Sequence, residues 1–418
     1  MARAPLDRGN GARLSRRRLD LLPELLTFGG TWAGLTWLGI RITQNCPALA
    51  TKLDVWFGAD LIRHLNWVVG EPGWVGAARH PLSFVLHHVW GALLRAVGFH
   101  DPSLVLAAAP LTLAASATVA LLPRVFRVPR WFGVASALAI GPLLLTAALP
   151  ESHLWGGLSM LWCLACLARA HERDADRTRV SWMAAYSGLL AVGFTITNVV
   201  PVLILLAALP RESRRGPLTL ACAGGLAAAL LFALSLAIKS RGPESTGLSG
   251  ELAVEVRQFA WPSAWAAAKS PRELVLSQFG LVRPWLRPFW GSGPGEPAYR
   301  LLPIDRVDPL AVAAAVAWCG VAAIRARRGR PADRASGVGS LLALASLIAL
   351  HAVHDPAEAY LFAPHAWPFV LVPGLLAFRG TSNLLARALL VLAIAISGVL
   401  VVQALAELYP LLPFLASA

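Results

Sequence analysis

The chain is short of charge, and of acid in particular. Only 14% of its 418 residues are charged, and 23 acids face 37 lysines and arginines. So little charge beside 56% hydrophobic residues excludes an ordinary soluble globular domain. Cysteine is scarce as well. Cys163, Cys166, Cys222 and Cys319 sit inside apolar runs, which leaves Cys46 no partner for a disulfide outside them. Cys163 and Cys166 have half the spacing of a metal knuckle, but no second ligand pair completes it. A Walker A loop, a Rossmann glycine fingerprint and a His-Glu-x-x-His helix are all missing. No tandem repeat is present.

What the chain does have is apolar runs of span length and a mean hydropathy of +0.60. These predict an all-α polytopic membrane protein forming one membrane domain over 1–418. About 11 spans are expected, at 22–42, 103–122, 131–149, 153–170, 181–195, 197–209, 218–238, 308–324, 337–353, 361–378 and 384–406. The fifth and sixth are too short to be two full spans, so Thr197-Asn198 and Pro201 predict a shallow hairpin whose backbone is buried by its neighbours. The N-terminus has the basic run and small residues of a signal peptide. Its apolar stretch, 21–40, is nearer a full span than an h-region of about 7–15 residues.

Charge sets the expected sidedness. Twenty-three of the 37 basic residues fall in six stretches: 1–22, 123–131, 169–180, 209–217, 324–336 and 378–388. Alternate spacing puts all six on one side, which basic short loops mark as cytoplasmic. The expected location is the plasma membrane, with the N-terminus cytoplasmic and the C-terminus extracytoplasmic. Basic residues split among loops imply topology and anionic lipid, and exclude a nucleic-acid stripe despite a pI near 10.8.

Two long segments are then extracytoplasmic: the first loop, 43–102, and the large loop, 239–306. Within the first, Leu82, Leu86, Val89, Leu93 and Val97 form one stripe and Ser83, His87, Gly91 and Arg95 the other. That pattern predicts an interfacial amphipathic helix over 81–99. Pro and Gly density in the large loop predicts short interfacial helices joined by turns.

The outer side also collects the chemistry. It holds Asp54, Asp60, Arg63, Arg79, Glu151, Asp355, Glu358, Tyr360 and every histidine except His100 and His171. Each has a plain alternative. Asp60 follows the anchor Trp56-Phe57-Gly58, yet a loop acid is often an N-cap. Glu151 opens a span, where an acid suits the helix dipole. Glu358 and Tyr360 enter an apolar helix, where an acid is costly unless paired or solvated. In Arg283-Pro284-Trp285-Leu286-Arg287-Pro288-Phe289-Trp290 the aromatics suit membrane anchoring, or the arginines suit phosphate.

Four places resemble the GT-C superfamily of polytopic glycosyltransferases. They are Phe57-Gly58-Ala59-Asp60, Arg79-His80-Pro81-Leu82, Leu149-Pro150-Glu151-Ser152 with Thr197-Asn198, and Asp355-Pro356-Ala357-Glu358-Ala359-Tyr360. The acid pair of many members is absent, since Leu61 and Ile62 follow Asp60. The resemblance implies transfer of a sugar from a polyprenyl-phosphate donor to an extracytoplasmic glycan, lipid or protein. It implies a carboxylate base, Asp60 first, with Glu358 or Glu151 as alternatives. Arg79, His80, His351, His354, Tyr360, Arg283 and Arg287 would hold the donor. The cofactor stays open, a divalent metal included, and no metal ligand is assigned. The competing classes are a transporter or flippase and a non-catalytic envelope-assembly protein. A transporter is expected to show repeated halves and mid-membrane charge; neither is present in this sequence.

The sidedness has a direct measurement. Cysteines introduced at Gly247 and Ala357 are expected to react with an impermeant thiol reagent on intact cells. Those at Asp174 and Gly329 are expected not to. Labelling at Gly329 without labelling at Gly247 would invert the topology.

Overall fold

A computed structural model describes residues 9–50, 61–70, 80–172, 174–239, 275–279, 284–288, 299–303, 308–353 and 363–413. The fold is helical. Its first half comprises α1 (Gly9–Asn45), α2 (Leu61–Val69), α3 (Pro81–Ala96), α4 (Leu104–Phe126), α5 (Arg130–Ala139), α6 (Leu143–Ala147) and α7 (Ser152–Ala170). The second half comprises α8 (Arg177–Phe194), α9 (Val199–Ala207), α10 (Arg215–Lys239), α11 (Pro309–Arg328), α12 (Pro331–Val353), α13 (Ala363–Gly380) and α14 (Leu384–Leu408). Among the described residues each expected span except 131–149 falls mainly on one helix. Five helices among the described residues, α4, α10, α11, α12 and α14, are long and apolar enough to cross a membrane.

Two helices form the centre. α7 and α13 are buried on nearly every side, as a helix that is apolar all round must be. They meet backbone to backbone, because a Cβ at Gly157 would strike the Pro364 carbonyl. α8, α12 and α4 pack against this pair, while α10 sits at the edge with 17% of its apolar window buried. Between α8 and α9, a 3-10 turn at Ile196–Asn198 makes the expected hairpin, with Asn198 fully buried. The first and last long helices are tied where the Arg41 guanidinium donates to the Tyr409 hydroxyl and lies 5.5 Å from its ring centre.

Two features depart from the sequence reading. The span expected at 131–149 is broken: α5 ends at Ala139 and α6 begins at Leu143. Gly141 stands at the break with φ +103°, against the Trp367 indole. The freed Gly141 N–H donates to the Gln278 carbonyl at 2.7 Å, so a piece of the large loop completes the bundle there. Second, the described part of that loop includes an antiparallel ribbon, β1 (Pro284–Pro288) and β2 (Tyr299–Pro303), and not only helices and turns. Prolines explain it: Arg283, Arg287 and Leu302 each precede a proline, which disfavours helical backbone at all three.

α3 has the two predicted stripes, and the polar one packs inward. Ser83, His87 and Gly91 are buried and Gly91 lies under the Val68 carbonyl of α2, while Val85, Val89, Leu93 and Val97 are exposed. Arg95 Nη1 donates to the Val68 and Val69 carbonyls at 2.8 and 2.9 Å, capping α2.

The break at Gly141 generates a stability measurement. Gly141→Ala both adds a Cβ inside the Trp367 ring and requires a left-handed φ. It is expected to cost about 2–4 kcal/mol, read as a lower unfolding temperature in detergent. An unchanged temperature would contradict the packing described.

Candidate functional site

The two ends of the bundle differ in chemistry. Arg127, Glu172, Arg177, Glu212, Arg330 and Arg379, from five of the six basic stretches, surround one cavity. The other end gathers histidines from α2, α3, α7 and α13 beside the α8–α9 turn. α7 runs from His153 at one end to Arg169 at the other, so the two clusters lie about 25 Å apart at 1.5 Å per residue.

Glu151 is the centre of the histidine end. It is the N-cap of α7, and its Oε1 accepts from the His153 backbone N–H at 3.1 Å and the Ser152 hydroxyl at 3.3 Å. The same oxygen accepts from His153 Nδ1 at 2.6 Å. The cap and the ion pair are therefore one arrangement, and neither excludes the other. Burial alone would raise the Glu151 carboxyl, but the charge and hydrogen bonds of His153 outweigh it and hold the group well below its usual range.

Around that pair lie four further histidines in differing settings. His80 precedes Pro81 at the start of α3; its Nδ1 donates to the Phe194 carbonyl at 2.8 Å, and its ring lies 5.4 Å from His153. His365, at the start of α13, has its ring 5.1 Å from His153 on the other side. Gly156 makes room for it: a Cβ there would come within 2.7 Å of Asn198 Nδ2 and 3.1 Å of His365 Nε2. His87 Nδ1 donates to the Ser83 carbonyl at 2.6 Å, and His64 lies between His87 and Trp67, with ring centres 5.0 and 4.9 Å away.

Burial dominates the electrostatics. It lowers His80 to about 3, helped by the charge of His153 and by Arg63. It also lowers His64, with His87 adding to the effect, and His87 itself. Four buried polar atoms here lack a hydrogen-bond partner among the described residues: Glu151 Oε2, His64 Nδ1, Trp67 Nε1 and Asn198 Oδ1. Each such atom costs about 1–3 kcal/mol if left unpaired, so the four together call for a polar partner from outside the described residues. Among the described residues no group of three or more His, Cys, Asp or Glu is arranged to hold a metal ion.

Of the residues singled out in sequence, Glu151 and His80 fall in this cluster. Asp60, Arg79, Arg283, His354, Glu358 and Tyr360 lie outside the described residues. His351 is in the last turn of α12, and Arg287 is on β1 in register with Arg300. His64, His153 and His365 also belong to the site; the sequence places them on the outer side with the other histidines but gives them no individual role. The available signal was collective: nearly all the histidines fell on the side away from the basic loops. No family model matches the chain, and no curated protein does.

Proton binding sets the sign of the pH response. Between pH 6.5 and about 3 the unfolded chain holds a proton at His80 that the folded chain does not, so stability falls as pH drops through that window. His64 and His87 act in the same direction. Glu151 adds a loss of the same sign below the ordinary carboxylate range. The unfolding temperature in detergent is therefore expected to fall between pH 7 and pH 4, less steeply in His80→Gln. An equal slope in that variant would mean His80 is protonated in the folded protein.

Proposed function

We propose that this chain is an inverting glycosyltransferase of GT-C type in the plasma membrane. It moves a sugar from a polyprenyl-phosphate donor to an extracytoplasmic acceptor. The reading includes about 11 spans, a cytoplasmic N-terminus, an extracytoplasmic C-terminus and an interfacial α3. One observation carries it: the buried Glu151–His153 pair, 2.6 Å apart, at the end of the bundle away from the basic loops. Nucleotide sugars are cytoplasmic, so transfer at that end requires a lipid-carried donor. An exposed apolar stripe of Val85, Val89 and Leu93 on α3 supports contact with lipid beside the same cluster.

The pair also refines the chemistry. A carboxylate held low is a poor proton acceptor, but it stabilises a positive imidazole beside it and fixes its tautomer. With Nδ1 committed to Glu151, His153 exchanges a proton through Nε2. The acceptor hydroxyl loses its proton to that nitrogen as its oxygen attacks the anomeric carbon. The bond from that carbon to the phosphate oxygen breaks, and its electrons leave with the polyprenyl phosphate. Arg63 and His80 stand near the place where that charge develops, with Arg79, His351, His354, Tyr360, Arg283 and Arg287 as the further donor contacts. Asp60 and Glu358 remain the competing bases. A broken helix is the feature that favours a transporter, but the Gly141 N–H at the break is taken by Gln278.

The test is transfer from purified polyprenyl-phosphate sugars to a labelled acceptor. His153→Gln and Glu151→Gln are each expected to lower the rate by about 10²–10⁴ with unfolding temperature and donor binding retained. Full activity in both, with loss in Asp60→Asn or Glu358→Gln, would move the base to that carboxylate. Passage of the lipid across a vesicle bilayer without any transfer would make the protein a flippase.

A further inference from the structure

We infer that the cavity at the basic end is a binding site for a phosphate group carrying two negative charges. This goes beyond the glycosyltransferase reading and does not depend on it. The cavity encloses about 730 Å³ and draws its walls from the α4–α5, α7–α8, α9–α10 and α11–α12 connections and the end of α13. Its arginines outnumber the carboxylates that could neutralise them. Glu172 alone receives Arg127 at 3.1 Å, Arg379 at 3.3 Å and Arg169 at 3.6 Å. Asp333 receives Arg379 at 3.3 Å and Arg325 at 3.2 Å. Four guanidinium groups thus share two carboxylates.

The remaining charges do not alter that balance. Arg177 closes with Glu212 at 2.9 Å, and Asp174 on the wall can at most offset Arg330, which makes no ion pair among the described residues. The cavity wall itself has four arginines against three carboxylates. With Arg169, Arg325 and Asp333 paired behind it, the network has six arginines against four carboxylates, two positive charges in excess. Glu172 and Asp333 have side chains only 15% and 3% exposed, whereas those of Arg127 and Arg177 are 50% and 45% exposed. The acids are therefore fixed, Glu172 in the floor and Asp333 behind it, and Arg127, Arg177 and Arg330 stand at the rim, able to turn inward. Guanidinium groups converging on one oxygen repel each other, and a phosphate with several acceptor oxygens relieves that by binding more than one fork at once.

Two sources would present this chemistry: a phosphomonoester lipid headgroup in the adjoining leaflet, or a soluble phosphate. Phosphodiester lipids carry a single charge and match the surplus less well. These fixed acids disfavour a non-specific polyanion, since they repel any ligand too large to stay at the arginines.

The full-length protein in neutral detergent serves as the test, by thermal unfolding and by native mass spectrometry. The probes are inorganic phosphate, against chloride at equal ionic strength, and mixed micelles holding phosphatidic acid, phosphatidylglycerol or phosphatidylcholine. Stabilisation by phosphatidic acid above the other two lipids is expected, with apparent affinity falling about tenfold or more in Arg330→Gln. Arg330→Lys should recover only part of it, because the charge returns without the fork. Saturable stabilisation by inorganic phosphate that competes with phosphatidic acid would identify a soluble ligand; stabilisation by the lipid alone would identify the headgroup. Arg330 joins no described ion pair, so its loss leaves the floor intact, and Arg127→Gln provides the second variant. Neither probe stabilising the protein beyond the ionic-strength control would overturn the site. So would equal stabilisation of wild type, Arg330→Gln and Arg127→Gln.

Discussion

α7 and α13 touch backbone to backbone at Gly157 and Pro364, and both ends of the molecule hang on that contact. One end of α7 presents Glu151 and His153, and Arg169 lies in its last turn, with Glu172 just beyond. α13 starts at the His365 ring and finishes at Arg379, which bridges Glu172 and Asp333. Helices are stiff rods, so a single close crossing sets where both pairs of termini meet. A side chain at Gly157 would push the helices apart and loosen the histidine cluster and the ion-pair network together.

The two ends solve opposite electrostatic problems. At the histidine end, burial disfavours the charged form of His64, His80 and His87, and the one ionised carboxylate, Glu151, is held by hydrogen bonds from His153. Such a site holds many polar groups and few formal charges, which suits a reaction in which charge develops and must be met locally. At the basic end the charges are many and only partly matched, with most of the arginines able to reach water. Exposed pairs of that kind contribute little singly; the part that matters is the buried acid behind the floor, since Asp333 is 3% exposed and needs both of its arginines.

Much of this arrangement was legible in sequence because it follows from patterns that a single chain displays. Basic loops between apolar runs predicted a shared face, and residues from five of them surround one cavity. Pro150-Glu151 read as a helix start, which it is. The Thr197-Asn198 hairpin followed from too few residues for two spans. What could not be read were features set by contacts distant in the chain. The break at Gly141 looks like one apolar run, because the residue that answers its N–H is Gln278. The two stripes of α3 were visible, but that the polar one packs against α2 at Gly91 was not. His153 was one of many histidines until Glu151, two residues earlier, proved to hold its ring as well as its backbone.

The break also explains why the large loop cannot be regarded as an appendage. Within a bundle no water is available to a freed N–H, so a helix can be interrupted only where another part of the chain supplies an acceptor. Gln278 supplies it, and its side-chain amide donates to the Ala363 carbonyl at 3.1 Å. Ala363 begins α13 two residues before His365. One residue of the loop therefore spans from the break in the α5–α6 segment to the helix start that carries a ring of the histidine cluster. Ser277, Gln278 and Phe279 are buried to match. A displacement of the loop would therefore strip an acceptor from Gly141 and shift the start of α13 at once. The loop, the broken helix and the site move as a unit for the same reason that the break is tolerated.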